Sequence, residues 1–304
     1  MGVFDMKKFI LNIFLFFCLV AVVDVTVGKS FGCLQSKVAH GRTGSEYYVC
    51  KTSNEDIIIM GSSRASHHYI PSVISAGLGM SCYNGGQDGN GIVLQNGRWK
   101  MISGRYKPKL IIYDVEKAFD VDINDNTRYI DRLKPFSGDK RVRDYVASLF
   151  PVERIKMCSK LYCYNYKFLE ILSDCIRRGD DNSGYLPLNG HIRQEIVQHS
   201  ASRPLSEVVV DEIKLKCLRE LVESTQAEGV QLVFVSSPYW GGKNVDLSAV
   251  VSIAEEYGVP FLDYTESEIC NNPDFFADSM HLNADGALAF TLDLINKLHE
   301  IIDI

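Results

Sequence analysis

The chain has 304 residues, 46% of them apolar, with 15 tyrosines, 15 phenylalanines and a formal charge of -6. That composition suits an ordered globular protein and argues against a disordered chain or a nucleic-acid binder. The length allows one large domain or two small ones.

The N-terminus reads as a targeting segment. Lys7 and Lys8 precede an apolar run over 9–23 that is broken only by Asn12, the charged and apolar regions of a secretory signal. Fifteen residues span roughly 22 Å as a helix, short of the roughly 30 Å hydrocarbon core. Cleavage after Gly28 and retention as an anchor both remain open, and an anchor extending through Val25–Val27 must carry Asp24 at the membrane boundary. In either case the lysine pair leaves the N-terminus in the cytoplasm and exports the rest. The expected division is 1–28 as signal or anchor and 29–304 as the functional domain.

Residues 29–55 are polar with glycines and read as a lead-in to the first strand. At 57–60 three isoleucines and a methionine run into Gly61-Ser62-Ser63. Such a run is a strand buried on both faces, and the turn after it lies where open α/β sheets place their ligands. A serine there is suited to be a nucleophile or a helix cap. A helix is expected over 66–78, interrupted by Pro71, then a short strand over 81–84 and the glycine-dense loop 84–91. The loop has neither the GxGxxG spacing of a dinucleotide site nor the Lys-Ser/Thr of a P-loop.

The next strand is expected over 109–115. Between 125 and 205 the pattern loosens into turns, including one at 177–181, and helices over 142–150 and 161–176; this stretch reads as a helical insertion on the core. An amphipathic helix over 207–229, a strand over 230–235, a loop over 236–242, a helix over 247–257, a strand over 260–263 and a closing helix over 284–301 complete the chain. Alternating strands and helices predict a three-layer α/β/α fold with a parallel, flavodoxin-like sheet.

Nine cysteines are present, eight of them after residue 28. Cys33 with Cys50, and Cys158 or Cys163 with Cys175, are the pairs close in sequence, and buried free thiols are favoured over any specific pairing. The spacing of Cys158 and Cys163 does not suit zinc. No metal or organic cofactor is expected.

A serine nucleophile needs a base and a group to orient it. Of the seven histidines (40, 67, 68, 191, 199, 281 and 299), only His281 stands in a setting with its own acid, Asp278, just ahead of the last helix. Gly61-Ser62-Ser63, the Asn84/Gly86/Gly89 pattern and Asp278-x-x-His281 together resemble the SGNH/GDSL hydrolase superfamily over about residues 56–290. The resemblance implies Ser63 as nucleophile, His281 as base, Asp278 as its orienter, and the N–H groups of Ser63 and Gly89 as oxyanion donors. Ser62 replaces the family's usual aspartate. The family's third block, G-x-N-D, is not reproduced: Asp114-Val115-Glu116-Lys117 follows the strand, without the oxyanion asparagine. In this respect the chain also resembles a branch that includes exported polysaccharide acyltransferases.

The expected activity is therefore exported ester chemistry on O-acyl, most simply O-acetyl, groups of a glycan. Acyl transfer to an envelope polysaccharide and a non-catalytic envelope binding protein are the alternatives. Arg64, His67, Asn84, Tyr239 and Trp240 are candidates for substrate contact, the two aromatics by stacking on a sugar ring.

Overall fold

The computed structural model describes residues 3–177, 181–193, 209–241 and 245–302. Arg178 and its turn, His199, Gly242, the end of the expected insertion and the expected helix start at Glu207 lie outside the described residues. In chain order the helices are α1 (Val3–Gln35), α2 (Gly41–Lys51), α3 (Ser63–His68), α4 (Pro71–Leu78), α5 (Ile92–Ile102), α6 (Lys117–Asp120) and α7 (Thr127–Ile130). They continue with α8 (Lys140–Leu149), α9 (Glu153–Lys156), α10 (Lys160–Tyr164), α11 (Phe168–Ile176), α12 (Glu212–Ala227), α13 (Ser248–Tyr257) and α14 (Ala284–Ile301). The residues gather into two compact units, Met1–Tyr47 with Asp131–Gly179, and Tyr48–Ile130 with Asp180–Ile304.

The second unit holds the sheet. Strands β1 (Ile57–Gly61), β2 (Cys82–Asn84), β3 (Leu110–Asp114), β4 (Gln231–Ser236) and β5 (Phe261–Asp263) are all parallel, in the order β2-β1-β3-β4-β5. This is the expected three-layer α/β class with a doubly wound sheet. Alternation in the strands sends Ile57, Ile59, Ile112, Val233 and Val235 into one core with Ile74, Phe290 and Leu294 of α4 and α14. Ile58, Met60, Ile111, Tyr113 and Phe234, also buried, point to the other face. Each such side chain contributes roughly 1.5–3 kcal/mol of burial.

Local signals set the ends of the helices. Pro71 opens α4 instead of merely interrupting a longer helix, and Gly79 closes it in the left-handed conformation. The Asp211 carboxylate accepts from the Ile213 amide and starts α12 there. Asn283 does the same for α14 through the Gly286 amide at 3.0 Å.

The other unit is helical, joining α1 and α2 as far as Tyr47 to the middle of the expected insertion, α8–α11. The lead-in expected over 29–55 is corrected here: α1 continues to Gln35 and α2 occupies Gly41–Lys51. Residues Met6–Gln35 of α1 are long and apolar enough to cross a membrane. Glu46 of α2 is buried and pairs with Lys167, and Asp174 of α11 accepts from the Thr43 amide at 2.9 Å and hydroxyl at 2.8 Å. Polar α2 is therefore held by buried ion pairs and caps that its own sequence does not announce. None of the nine cysteines is joined in a disulfide, and Cys50, Cys82, Cys163, Cys217 and Cys270 are buried.

Candidate active site

β1 ends at Gly61, whose φ of +145° no ordinary side chain adopts and whose Cβ would lie 2.7 Å from the Asp114 carbonyl. The chain then turns into α3, with Ser62 and Ser63 at its start. Ser62 is buried and donates its hydroxyl to Glu116. Ser63 points the other way, its Oγ 2.8 Å from His281 Nε2. His281 Nδ1 lies 3.0 Å from both Asp278 oxygens. Serine, imidazole and carboxylate thus stand in a hydrogen-bonded row.

A tight loop makes that row. Phe276 and Leu282, both fully buried, pair across an antiparallel bridge and anchor its ends. Between them the Asp278 carboxylate accepts from the Met280 amide at 2.7 Å and the His281 amide at 2.9 Å, which fixes its position before it meets the ring. Burial pushes the Asp278 carboxyl up, but the His281 hydrogen bond and the Met280 amide outweigh it and hold it below the ordinary carboxylate value. The charged form is therefore favoured beside the imidazole.

Behind the loop lies a second polar chain. The Leu282 amide donates to His68 Nε2 at 3.0 Å, so that nitrogen is an acceptor and the proton of the neutral ring is on Nδ1. His68 Nδ1 donates to Ser237 Oγ at 3.0 Å, and Ser237 Oγ donates to Asp114 Oδ2 at 2.8 Å. Burial, reinforced by the Arg64 charge, pushes His68 well down and keeps it neutral. The chain ties the His281 loop to the ends of β3 and β4.

Several candidates for substrate contact are placed otherwise. Arg64 is buried, its Nη1 donating to the Ser237 carbonyl at 2.9 Å and its Nη2 to the Val115 carbonyl at 2.5 Å. Burial opposes its charge, yet Asp114 and Glu116 raise its pKa, so it is an internal cation clamping two strand ends. Asn84 is fully buried, donating to the Ala65 and Tyr69 carbonyls and accepting from the Gly86 amide, which pins the glycine loop to α3. Both donors of its amide and its oxygen are engaged by the backbone. Tyr239 lies under the Arg64 guanidinium at 5.5 Å, and Trp240 meets the Phe276 ring at 5.7 Å. Both rings are half-buried and already have protein partners.

Gly89 has a φ of +68°, with open space where a Cβ would lie. Its loop is held to the end of β1 by the Gln87 amide on the Gly61 carbonyl at 3.0 Å. Among the described residues no acceptor meets the Gly89 N–H. Ser63 opens α3, so its N–H has no acceptor within the helix. The Glu116 carboxylate is turned to Ser62 and, at 3.7 Å, Arg64. It offers no donor.

His67 stands beside the row, its ring edge-on to His281 with centroids 5.3 Å apart. Its Nδ1 donates to the Leu186 carbonyl at 2.6 Å and its Nε2 faces Asp88 at 3.4 Å. Burial lowers its pKa, but Asp88 and the Leu186 carbonyl outweigh burial and raise it. A raised pKa gives stability that is fully present below about pH 6.5 and lost as pH rises through the folded value. Thermal melts of His67→Gln against wild type should therefore show their largest deficit below about pH 6.5 and a shrinking one above it. A deficit independent of pH would show that His67 acts only by packing.

Residues 181–193 form part of the site that their sequence does not announce. A Cβ on Gly184 would lie 1.9 Å from the Asn84 carbonyl; the Leu186 amide bonds the Ser66 carbonyl at 2.9 Å, and the Ile192 amide bonds Phe276 at 2.8 Å. This strap crosses from β2 to the His281 loop. Among the described residues no cluster of histidine, cysteine and carboxylates is arranged to hold a metal ion.

No protein-family model matches the chain, and no curated protein does. Among solved structures it is similar to LAE5, an α/β hydrolase enzyme from the metagenome of Lake Arreo, Spain, at 11% identity and a TM-score of 0.42, over 81% of this chain and 96% of that one. A protein from Bacteroides fragilis provisionally described as an acylhydrolase matches at 12% identity and a TM-score of 0.35, over 79% and 86%. Neither likeness is close enough to transfer a residue role.

Proposed function

We propose that the chain is an exported serine esterase of SGNH/GDSL type acting on O-acyl groups of a glycan. The observation that carries the reading is the row Ser63 Oγ, His281 Nε2 and Nδ1, Asp278, with spacings of 2.8 and 3.0 Å. Ser63 Oγ attacks the acyl carbonyl carbon while its proton passes to His281 Nε2. The negative oxygen is received by the N–H groups of Ser63 and Gly89. Collapse breaks the ester bond, and the sugar oxygen leaves with the proton from His281. Water then attacks the acyl-Ser63 with His281 as base and releases the acid. Asp278 orients the ring and stabilises its charged form without taking the proton.

The third-block departure weakens this oxyanion hole by one donor, a deficit worth about 10²–10³ in rate. Export follows from Lys7-Lys8 ahead of the apolar segment, and the glycan from the family resemblance. Water needs no acceptor site, which favours hydrolysis over transfer. Incubation with acetylated xylan, with and without a free oligosaccharide, followed by mass spectrometry, tests the reading: free acetate is expected. Acetyl on the added oligosaccharide with little free acetate would replace the esterase by an acyltransferase using the same acyl-Ser63. Neither product would favour a non-catalytic envelope protein.

A further inference from the structure

We propose that α1 is a retained membrane anchor whose last turns are built into the helical unit, setting the α9–α10 corner in the lipid headgroup layer. From Phe9 to Val23 the helix is apolar but for Asn12 and uncovered, with Phe14 and Leu19 each 62% exposed. With Lys7 and Lys8 extending their stems to the cytoplasmic headgroups, the span from Met6 to Val23 rises about 27 Å, near the roughly 30 Å core.

The obstacle to an anchor is Asp24 at its outer end, and the fold removes it. The Asp24 carboxylate accepts from the Ser159 hydroxyl, from the Lys160 amide at 2.8 Å and from the Leu161 amide at 3.0 Å, capping α10. One turn later Gly28 is buried, and a Cβ there would lie 2.4 Å from Lys160 Cβ. A further turn on, Gly32 faces the Tyr164 hydroxyl, and the Phe31 ring lies 6.1 Å from both Tyr164 and Phe168. Residues 24, 28, 31 and 32 fall on one helix face. Cleavage after Gly28 would divide this interface, remove the α10 cap and require a buried helical bond to open into an extended strand for the peptidase.

The depth of the unit follows from that face. Ser159 and Lys160 are level with Asp24, and the preceding corner exposes Val152 at 64% and Ile155 at 76% beside Arg154, Lys156 and Lys160. Apolar tips flanked by cations suit the boundary between acyl chains and anionic headgroups. α11 leads away from it, from Phe31 to Thr43 beyond the end of α1, so exposed Ile176 stands clear of lipid.

The full chain with a C-terminal tag should stay in the pellet of alkaline-extracted membranes and keep residues 1–28 by intact mass. A soluble product starting near Lys29 would overturn the anchor. With exposed Cys18, Cys33, Cys158 and Cys175 changed to serine, a fluorophore on Ile155→Cys in vesicles containing phosphatidylglycerol should be quenched severalfold more by a shallow nitroxide lipid than one on Ile176→Cys. Equal quenching at the two positions would overturn the placement of the corner.

Discussion

Ser63→Ala should lower turnover of a short-chain p-nitrophenyl ester by on the order of 10⁶, as in serine triads that lose their nucleophile, while Ser62→Ala keeps most of it. The two neighbouring hydroxyls face opposite ways. Ser63 Oγ meets the imidazole at 2.8 Å, whereas Ser62 is buried against Glu116. Ser62→Ala leaves a buried carboxylate short of one donor, which should destabilise the fold by about 1–3 kcal/mol. Its signature is a lower melting temperature with turnover retained below it. If Ser62→Ala abolishes turnover in a folded protein and Ser63→Ala spares it, the nucleophile has been misassigned.

His281→Ala should cost nearly as much as loss of Ser63, because nucleophile and base act as a unit. Asp278→Asn should cost less, at most about 10⁴. Its side chain is 51% exposed against 22% for His281, so water replaces part of what the carboxylate does. Because the Asp278 pKa is depressed, its contribution is present above about pH 4 and lost as pH falls through its folded value. That contribution is to stability, so Asp278→Asn should melt below wild type above about pH 4 and converge on it as the pH falls. Thermal melts of both proteins from about pH 3 to pH 7 check this, and a deficit that is the same at every pH would show that the Asp278 charge plays no part in holding the row.

The sheet and the row were legible in the sequence for the same reason: both depend on short local patterns. Ile57–Met60 is buried on both faces and reads as a continuous apolar run, and its turn carries the serine. Asp278 and His281 are three residues apart, and one loop closes them together. What escaped depends on partners distant in sequence. α5 is buried nearly all round, including Gln95, Asn96 and Arg98, so it has no polar face from which to read a period. α2 is polar and held by Lys167 and Asp174 from α11 and its approach. Arg64, next to the nucleophile in sequence, looks like a substrate ligand until the ends of β3 and β4 close around it. Asn84 reads as a substrate contact until its amide is seen donating to the Ala65 and Tyr69 carbonyls. The strap over 181–193 binds through main-chain groups, which leave no trace in residue type.

The most direct test of the account is the site of covalent capture. The intact chain, labelled with a fluorophosphonate at neutral pH and digested, should carry one phosphonyl group on the peptide containing Ser62 and Ser63, with fragmentation placing it on Ser63 Oγ. Prior unfolding or His281→Ala should prevent it. A modification on Ser62 or on a serine elsewhere, or labelling of equal rate in His281→Ala, would contradict a Ser63 nucleophile activated by His281.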